Sequence, residues 1–238
     1  MIEFGHGTHP GIRRATNEDT YCADSGLGLF LVADGMGGHL HGMVAAALAR
    51  DHVGAALRAG ESLEAAIRGA DRAIISQQHA DDGMLPMGTT LVALHVHGAT
   101  FEAAWVGDSR LYLYHDGLRQ LSHDQSLVQD LVDHGVLDAH EARGNPHRNV
   151  LTQALGVTSP DELRVDSLSG TLVPGMRFLL CSDGLSEHVG EPTLERYLAR
   201  DDLAAQELSD ALLLEALDAG GHDNVTALVL RCHPDRVC

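Results

Sequence analysis

Three runs, TTLVALHVH (89–97), TFEAAWVGD (100–108) and RLYLYHDG (110–117), decide the fold class of this chain. Each is short and rich in Val, Leu, Thr and aromatic residues. The glycine-bearing turns His97-Gly98-Ala99 and Gly107-Asp108 separate them. That texture predicts adjacent antiparallel strands rather than strands alternating with helices, and Asp116-Gly117 adds a hairpin turn. Working outward, LGLFLVA (27–33) is an apolar run stopped by Asp34-Gly35 and reads as a buried strand. Met43, Ala46, Ala47, Val53 and Leu57 recur at helical spacing before Gly60. Ser62 opens a second helix with Leu63, Ile67, Ala70 and Ile74 on one stripe. Strand texture returns at 163–168 and in MRFLLC (176–181), with Pro174-Gly175 as the turn between them. Segments 191–200 and 203–219 read as helices, Gly220-Gly221 ends the second, and NVTALVLRC (224–232) is a closing strand. The polar stretch 122–149, rich in His and Asp, is expected to form a small surface flap. The whole predicts an α+β chain with mostly antiparallel pairing.

Composition narrows the function. The chain has 238 residues, 44% of them hydrophobic and 21% charged, which is globular and long enough to bury a full core. Its net charge of −18 argues against duplex nucleic acid or an anionic membrane as the main partner. Residues 1–11 carry neither a basic nor an apolar leader segment, no apolar run approaches a bilayer span, and no anchor precedes Cys238. A soluble cytoplasmic protein is therefore expected. Cys22, Cys181, Cys232 and Cys238 sit in no zinc spacing and read as reduced thiols. The glycines of GMGG (35–38) are not followed by Lys and Ser or Thr, so they form no nucleotide-binding loop.

The acids fall in a pattern. Four times an Asp stands in a turn beside a β-prone segment: Asp34 after LFLVA, Asp108 after AAWVG, Asp183 after RFLLCS, and Asp223 before NVTALVL. Arg14, Glu18 and Asp19 lie together in RATNED near the start. Strand ends hold side chains rigidly. Carboxylates that converge repel one another unless some protonate or cations lie between them. All-oxygen donors favour Mg²⁺ or Mn²⁺ over Zn²⁺.

These residues carry a resemblance. RATNED (14–19), VADGMGGH (32–39), MGTTLVAL (87–94), WVGDSRLYLY (105–114), LSHDQSLVQDLVDHG (121–135), NPHRNVLTQALG (145–156), LLCSDGL (179–185) and GHDNVTALV (221–229) occur in the order seen in the type 2C metal-dependent protein serine/threonine phosphatases, in their bacterial form. The chain resembles that family from Gly11 to about Leu230. The resemblance implies a four-layer α-β-β-α sandwich, with two packed sheets flanked by helices. It implies one domain over 1–238 with a flap at about 122–149. Two Mn²⁺ or Mg²⁺ ions are implied, Asp34 bridging them. Asp183 and Asp223 complete the first site, and the Gly35 carbonyl and Glu18, directly or through water, complete the second. Asp108 with Asp183 matches the position that holds a third, weaker ion.

The implied chemistry is in-line attack on phosphoserine or phosphothreonine by a water activated between two cations. Arg14 would bind the phosphate, Asp19 would orient the nucleophile, and His39 would protonate the leaving oxygen, with His41 close by. The implied partners are phosphorylated proteins and a cognate serine/threonine kinase, met by a monomer. The chain departs from the family pattern at Met36, at Met43, at Gln125 within Asp124-Gln125-Ser126, and at Asn145. The changes at Gln125 and Asn145 are expected to affect substrate selection through the flap. Two rival readings are a catalytically weak phosphatase-like domain that binds phosphoprotein and a hydrolase of a small phosphate ester.

Overall fold

The computed structural model describes residues 2–38, 40–80, 86–142 and 144–233. Strand alternation sets its layers. In β3 (Leu29–Met36), Leu29 and Leu31 face one way and Phe30 and Val32 the other, and all four are buried. A strand apolar on both faces must be covered on both. It lies within a six-stranded sheet of order β2 (Asp19–Asp24), β3, β5 (Leu91–His97), β6 (Thr100–Val106) and β9 (Asp166–Thr171), with β4 (Gly88–Thr89) paired to the end of β3. A second sheet runs β1 (Ile2–His9), β11 (Val225–Cys232), β10 (Arg177–Cys181), β7 (Arg110–Tyr114) and β8 (Leu118–Gln120). Every ladder among the described residues is antiparallel.

The sheets pack face to face. Phe30, Val32, Leu94 and Trp105 of the first meet Leu111, Phe178, Leu180 and Leu228 of the second, and the Phe101 and Phe178 rings meet edge to face at 5.1 Å. Helices α1 (Leu40–Arg58) and α2 (Leu63–Ala80) cover the outer face of the six-stranded sheet through Ala45, Ala49, Val53, Ile67 and Ile74. On the other side, α5 (Asp183–Ser186), α6 (Glu191–Leu198) and α7 (Ala205–Asp218) cover Leu179, Cys181, Ala227 and Val229. Each fully buried Leu, Val or Phe contributes about 1.5–3 kcal/mol. The result is the expected α+β sandwich, helices outside two sheets.

Several expectations need correcting. The strand expected at 27–33 starts two residues later, at Leu29, and does not stop at Asp34-Gly35. Gly35 and Met36 stay in the ladder because they pair with Thr89 and Gly88. The strand placed at 163–168 is Asp166–Thr171, whose register with β6 runs from Trp105 opposite Asp166 to Thr100 opposite Thr171. Leu163 instead packs against the helix layer. The run at 110–117 is not a neighbour of the run before it: the chain crosses at Gly107-Asp108-Ser109 and β7 joins the other sheet, beside β10 and β8. Among the described residues of the flap segment, only α3 (Leu127–Asp133) and α4 (Ala139–Ala142) are α-helical. Among the described residues no helix is long and apolar enough to cross a membrane. Cys22, Cys181 and Cys232 are free, and Cys238 lies outside the described residues.

The sequence reading missed β1 and β2. In IEFGHGTH, the glycines hide β1 from any alternation rule. A side chain at Gly5 would lie 2.2 Å from the Gln206 nitrogen, against the start of α7, so this strand can approach the helix only without one. Gly5→Ala is therefore expected to cost about 1–3 kcal/mol through overpacking against rigid backbone. The check is a shift in the urea midpoint at unchanged slope; a midpoint equal to wild type would contradict the contact.

Candidate active site

Both sheets deliver acids to one end of the sandwich. Asp19 opens β2 directly opposite Asp34 in β3. The Asp34 backbone is fixed from the side by Thr89 and Thr90. The Thr90 amide and the Thr89 hydroxyl each donate to the Asp34 carbonyl at 2.9 Å, and the Asp34 amide donates to Thr90 Oγ1 at 3.2 Å. The Thr90 hydroxyl also meets Ser109 Oγ at 2.7 Å, beside Asp108 on the crossing between sheets. Asp183 is the first residue of α5, immediately after β10. Its neighbour Ser182 is tied to β11 by the amide of Thr226, which donates to Ser182 Oγ at 3.0 Å. Asp223 precedes β11 and accepts a hydrogen bond from Arg14 Nη2 at 2.7 Å. Asn224 draws in the RATNED loop. It accepts from the Glu18 amide at 2.8 Å and donates to the carbonyls of Pro10 and Thr16 at 2.9 Å each.

A cleft of about 520 Å³ gathers most of the expected residues. Arg14, Glu18, Asp34, Gly35, Asp108, Asp183 and Asp223 all line it. Asp19 lies behind them, 8% exposed. Its Oδ2 accepts from Ser182 Oγ at 2.7 Å and Thr226 Oγ1 at 2.6 Å, while Oδ1 is a buried atom with no partner among the described residues. His39 lies outside the described residues. A wider depression of about 750 Å³, lined by His95, His97 and Glu102, lies elsewhere and contains none of the clustered acids. The 520 Å³ cleft is the functional candidate because it gathers Asp34, Asp108, Asp183 and Asp223 with Glu18 and the Arg14 guanidinium.

The electrostatics show an excess of negative charge. Withdrawal from solvent, then repulsion from Asp19, Asp183, Asp108 and Asp223, holds the Asp34 carboxyl well above the usual range. Asp183 is raised likewise by burial and by Asp108 and Glu187. Asp108 is pushed up to about 7 by burial and Asp124, against the pull of Arg110. Asp19 is pushed up to about 6, chiefly by burial, against the Thr226 and Ser182 hydroxyls. Arg110 cannot relieve the cleft, because Asp124 holds it in a bidentate pair at 2.6–3.0 Å. Cations between the acids would relieve the repulsion. The all-oxygen donor set and the unpartnered Asp19 Oδ1 fit hard divalent ions. Among the described residues no three His, Cys, Asp or Glu side chains are already drawn into one closed ligand set. An open cleft of this kind suits ions that keep several waters, as Mg²⁺ does.

The flap root corrects one expectation. Asp124, Gln125 and Ser126 do not face the cleft: all three are buried. Gln125 accepts from the Gly107 amide at 2.8 Å and donates to Asp166 Oδ2 at 2.9 Å, so it anchors the crossing that carries Asp108. Ser126 caps α3. Asn224, Thr90 and Gln125 were missed as positioning residues, although Asn224 stands in the quoted GHDN motif.

Fold and site together define a two-sheet sandwich with a carboxylate-lined cleft between its sheets' ends, and the chain belongs to the Protein phosphatase 2C family, whose pattern matches residues 12–217. It is 40% identical over 238 residues to the serine/threonine protein phosphatase PstP of Mycobacterium tuberculosis, covering 96% of this chain and 45% of PstP. The chain thus spans about half the length of that relative. It is 34% identical over 213 residues to the serine/threonine phosphatase stp of Listeria monocytogenes, covering 85% of this chain and 83% of stp. The crystal structure of the PstP catalytic domain in complex with two manganese ions superposes with a TM-score of 0.87 at 34% identity, over 98% of this chain and 99% of that one.

Proposed function

We propose that this chain removes phosphate from phosphoserine and phosphothreonine in proteins, using Mn²⁺ or Mg²⁺, and so reverses a serine/threonine kinase. The observation that carries this reading is the convergence of Asp34, Asp108, Asp183 and Asp223 from two sheets into one cleft with Glu18 and Arg14. Asp34, Asp183 and Asp223 would hold one ion, Asp34 with the Gly35 carbonyl and Glu18 a second, and Asp108 with Asp183 a third, weaker one. When bound, such ions neutralise phosphate charge and make water a nucleophile at neutral pH.

The chain's own groups do the rest. Arg14, with 56% of its side chain exposed, presents its fork at the cleft beside Asp223, where it meets the phosphate oxygens. Asp19 is locked through Oδ2, leaving Oδ1 as a fixed acceptor for a proton of the attacking water. His39 is the proposed donor to the leaving serine or threonine oxygen. The reading takes residues 1–238 as one catalytic domain with a flap at about 122–149, acting as a monomer in the cytoplasm.

The test is phosphate release from phosphothreonine peptides and from para-nitrophenyl phosphate with Mn²⁺, with and without chelator. Release from both is expected, at least about 100-fold lower once the ions are removed. Binding of phosphopeptide without turnover, or turnover only of sugar phosphates or nucleotides, would reject the proposal.

A further inference from the structure

Asp71 is a charged residue on the core side of α2, 1% exposed, and it does not line the cleft. It stands four residues after Ile67 and three before Ile74, both fully buried, so it shares their helix face. A carboxylate there is costly unless it is bonded. Its Oδ1 accepts the amide of Gly156 at 2.8 Å. Farther along the same helix, Gln78 Nε2 donates to the Gly156 carbonyl at 2.8 Å and to the Met87 carbonyl at 3.1 Å. Both backbone polar groups of Gly156 are thus gripped by α2. Gly156 has φ +78°, and a side chain on it would lie 2.4 Å from Ile74 Cγ2, so the turn is pressed hard onto the helix.

The same turn is fastened on its other side. Leu155 and Thr89 exchange backbone hydrogen bonds at 3.0 and 3.1 Å, and the Thr89 hydroxyl holds the Asp34 carbonyl. Thr158 Oγ1 accepts the Ala154 amide at 2.9 Å and closes the turn on itself. Its outer side forms the cleft wall through Gln153, Ala154, Val157 and Thr158. None of these is charged, and Val157 is 57% exposed. The cleft therefore has one wall of acids with Arg14 and one neutral, partly apolar wall.

Resting on the phosphatase reading, we propose that the neutral wall seats the polypeptide flanking the phosphorylated residue, and that Asp71 and Gln78 are positioning residues that set its distance from the acids. Phosphate, the charged part of the substrate, belongs at the charged wall. The neutral wall suits backbone amides and an apolar neighbour of the phosphoresidue, a surface that a small aryl phosphate does not use.

The experiment compares Asp71→Ala, Asp71→Asn and Gln78→Ala with wild type on a phosphothreonine peptide and on para-nitrophenyl phosphate, with folding checked by circular dichroism. Asp71→Ala is expected to raise KM for the peptide about tenfold with kcat within about twofold, and to leave the aryl ester unchanged. Asp71→Asn keeps an oxygen that can accept the Gly156 amide and should return KM close to wild type. Gln78→Ala should raise the peptide KM several-fold, and it decides the matter if Asp71→Ala does not fold. Equal losses on both substrates, or an unmoved peptide KM in the folded variants, would overturn the proposal. A wild type that hydrolyses neither substrate rejects the phosphatase reading itself, an outcome visible before any variant is made.

Discussion

Asp34→Ala is expected to lower kcat/KM on a phosphothreonine peptide by about 10³-fold or more, while the metal-free protein folds and melts higher than wild type. The carboxyl of Asp34 faces repulsion from four other acids, Asp19, Asp183, Asp108 and Asp223. Asp34 belongs to both of the two main proposed ion sites, and a 10³-fold loss corresponds to about 4 kcal/mol of transition-state stabilisation. The fold should survive because Thr89 and Thr90 hold the backbone of Asp34, not its side chain. Removing a carboxylate repelled by its neighbours also relieves strain when no ion is present. Asp183→Ala should behave similarly. Activity within tenfold of wild type in either variant, measured with saturating Mn²⁺, would dismiss the ligand assignment.

The second large effect is a reversal of pH dependence by metal. In chelator, the folded chain binds protons at Asp19 and Asp108 with pKa values of about 6 and about 7, against about 3.9 for Asp in an unfolded chain. Between about pH 4 and 7 the folded state therefore holds more protons than the unfolded one, and raising the pH destabilises it. The penalty is absent below about pH 4 and complete above about pH 7. Asp34 and Asp183, repelled by the same acids, act in the same direction. Asp24, Asp133 and Asp202 have lowered values and oppose it only in stronger acid. Stability in chelator should thus peak near pH 4–5. With Mn²⁺ the trend turns over, since ions compete with protons for the same oxygens. Thermal melts at pH 7.5 should rise by roughly 10 °C on adding Mn²⁺. A melting temperature flat from pH 5 to 8 in chelator and unmoved by Mn²⁺ would refute this account.

The parts of the fold that were legible in sequence are those where local pattern and tertiary burial agree. LFLVA, the β5 and β6 runs and the α2 stripe each announce their element because apolar spacing and final packing coincide. β1 and β2 do not. Glycines occupy β1 where α7 presses closest, and DTYCAD in β2 is a half-buried strand at a sheet edge. The transfer of β7 to the other sheet was equally hidden, because spacing along the chain cannot say which sheet a strand enters. At the site, the acids were readable as strand-end turns, and the family resemblance supplied their proposed roles. What sequence could not show is depth. Asp19 stands behind the cleft, Gln125 is buried beneath the flap, and Asn224 ties the RATNED loop to β11 through contacts over two hundred residues away in sequence.

The acids divide between the two leaves of the sandwich. Asp19 and Asp34 belong to one, Asp183 and Asp223 flank strands of the other, and Asp108 rides the strap that joins them. The ion proposed between Asp34 on one side and Asp183 and Asp223 on the other would be a rivet through both leaves, and its grip would depend on how they are aligned. Whatever slides one leaf over the other loosens the rivet, and a seated rivet stops the sliding, so ion occupancy and the rigidity of the whole stack are one variable.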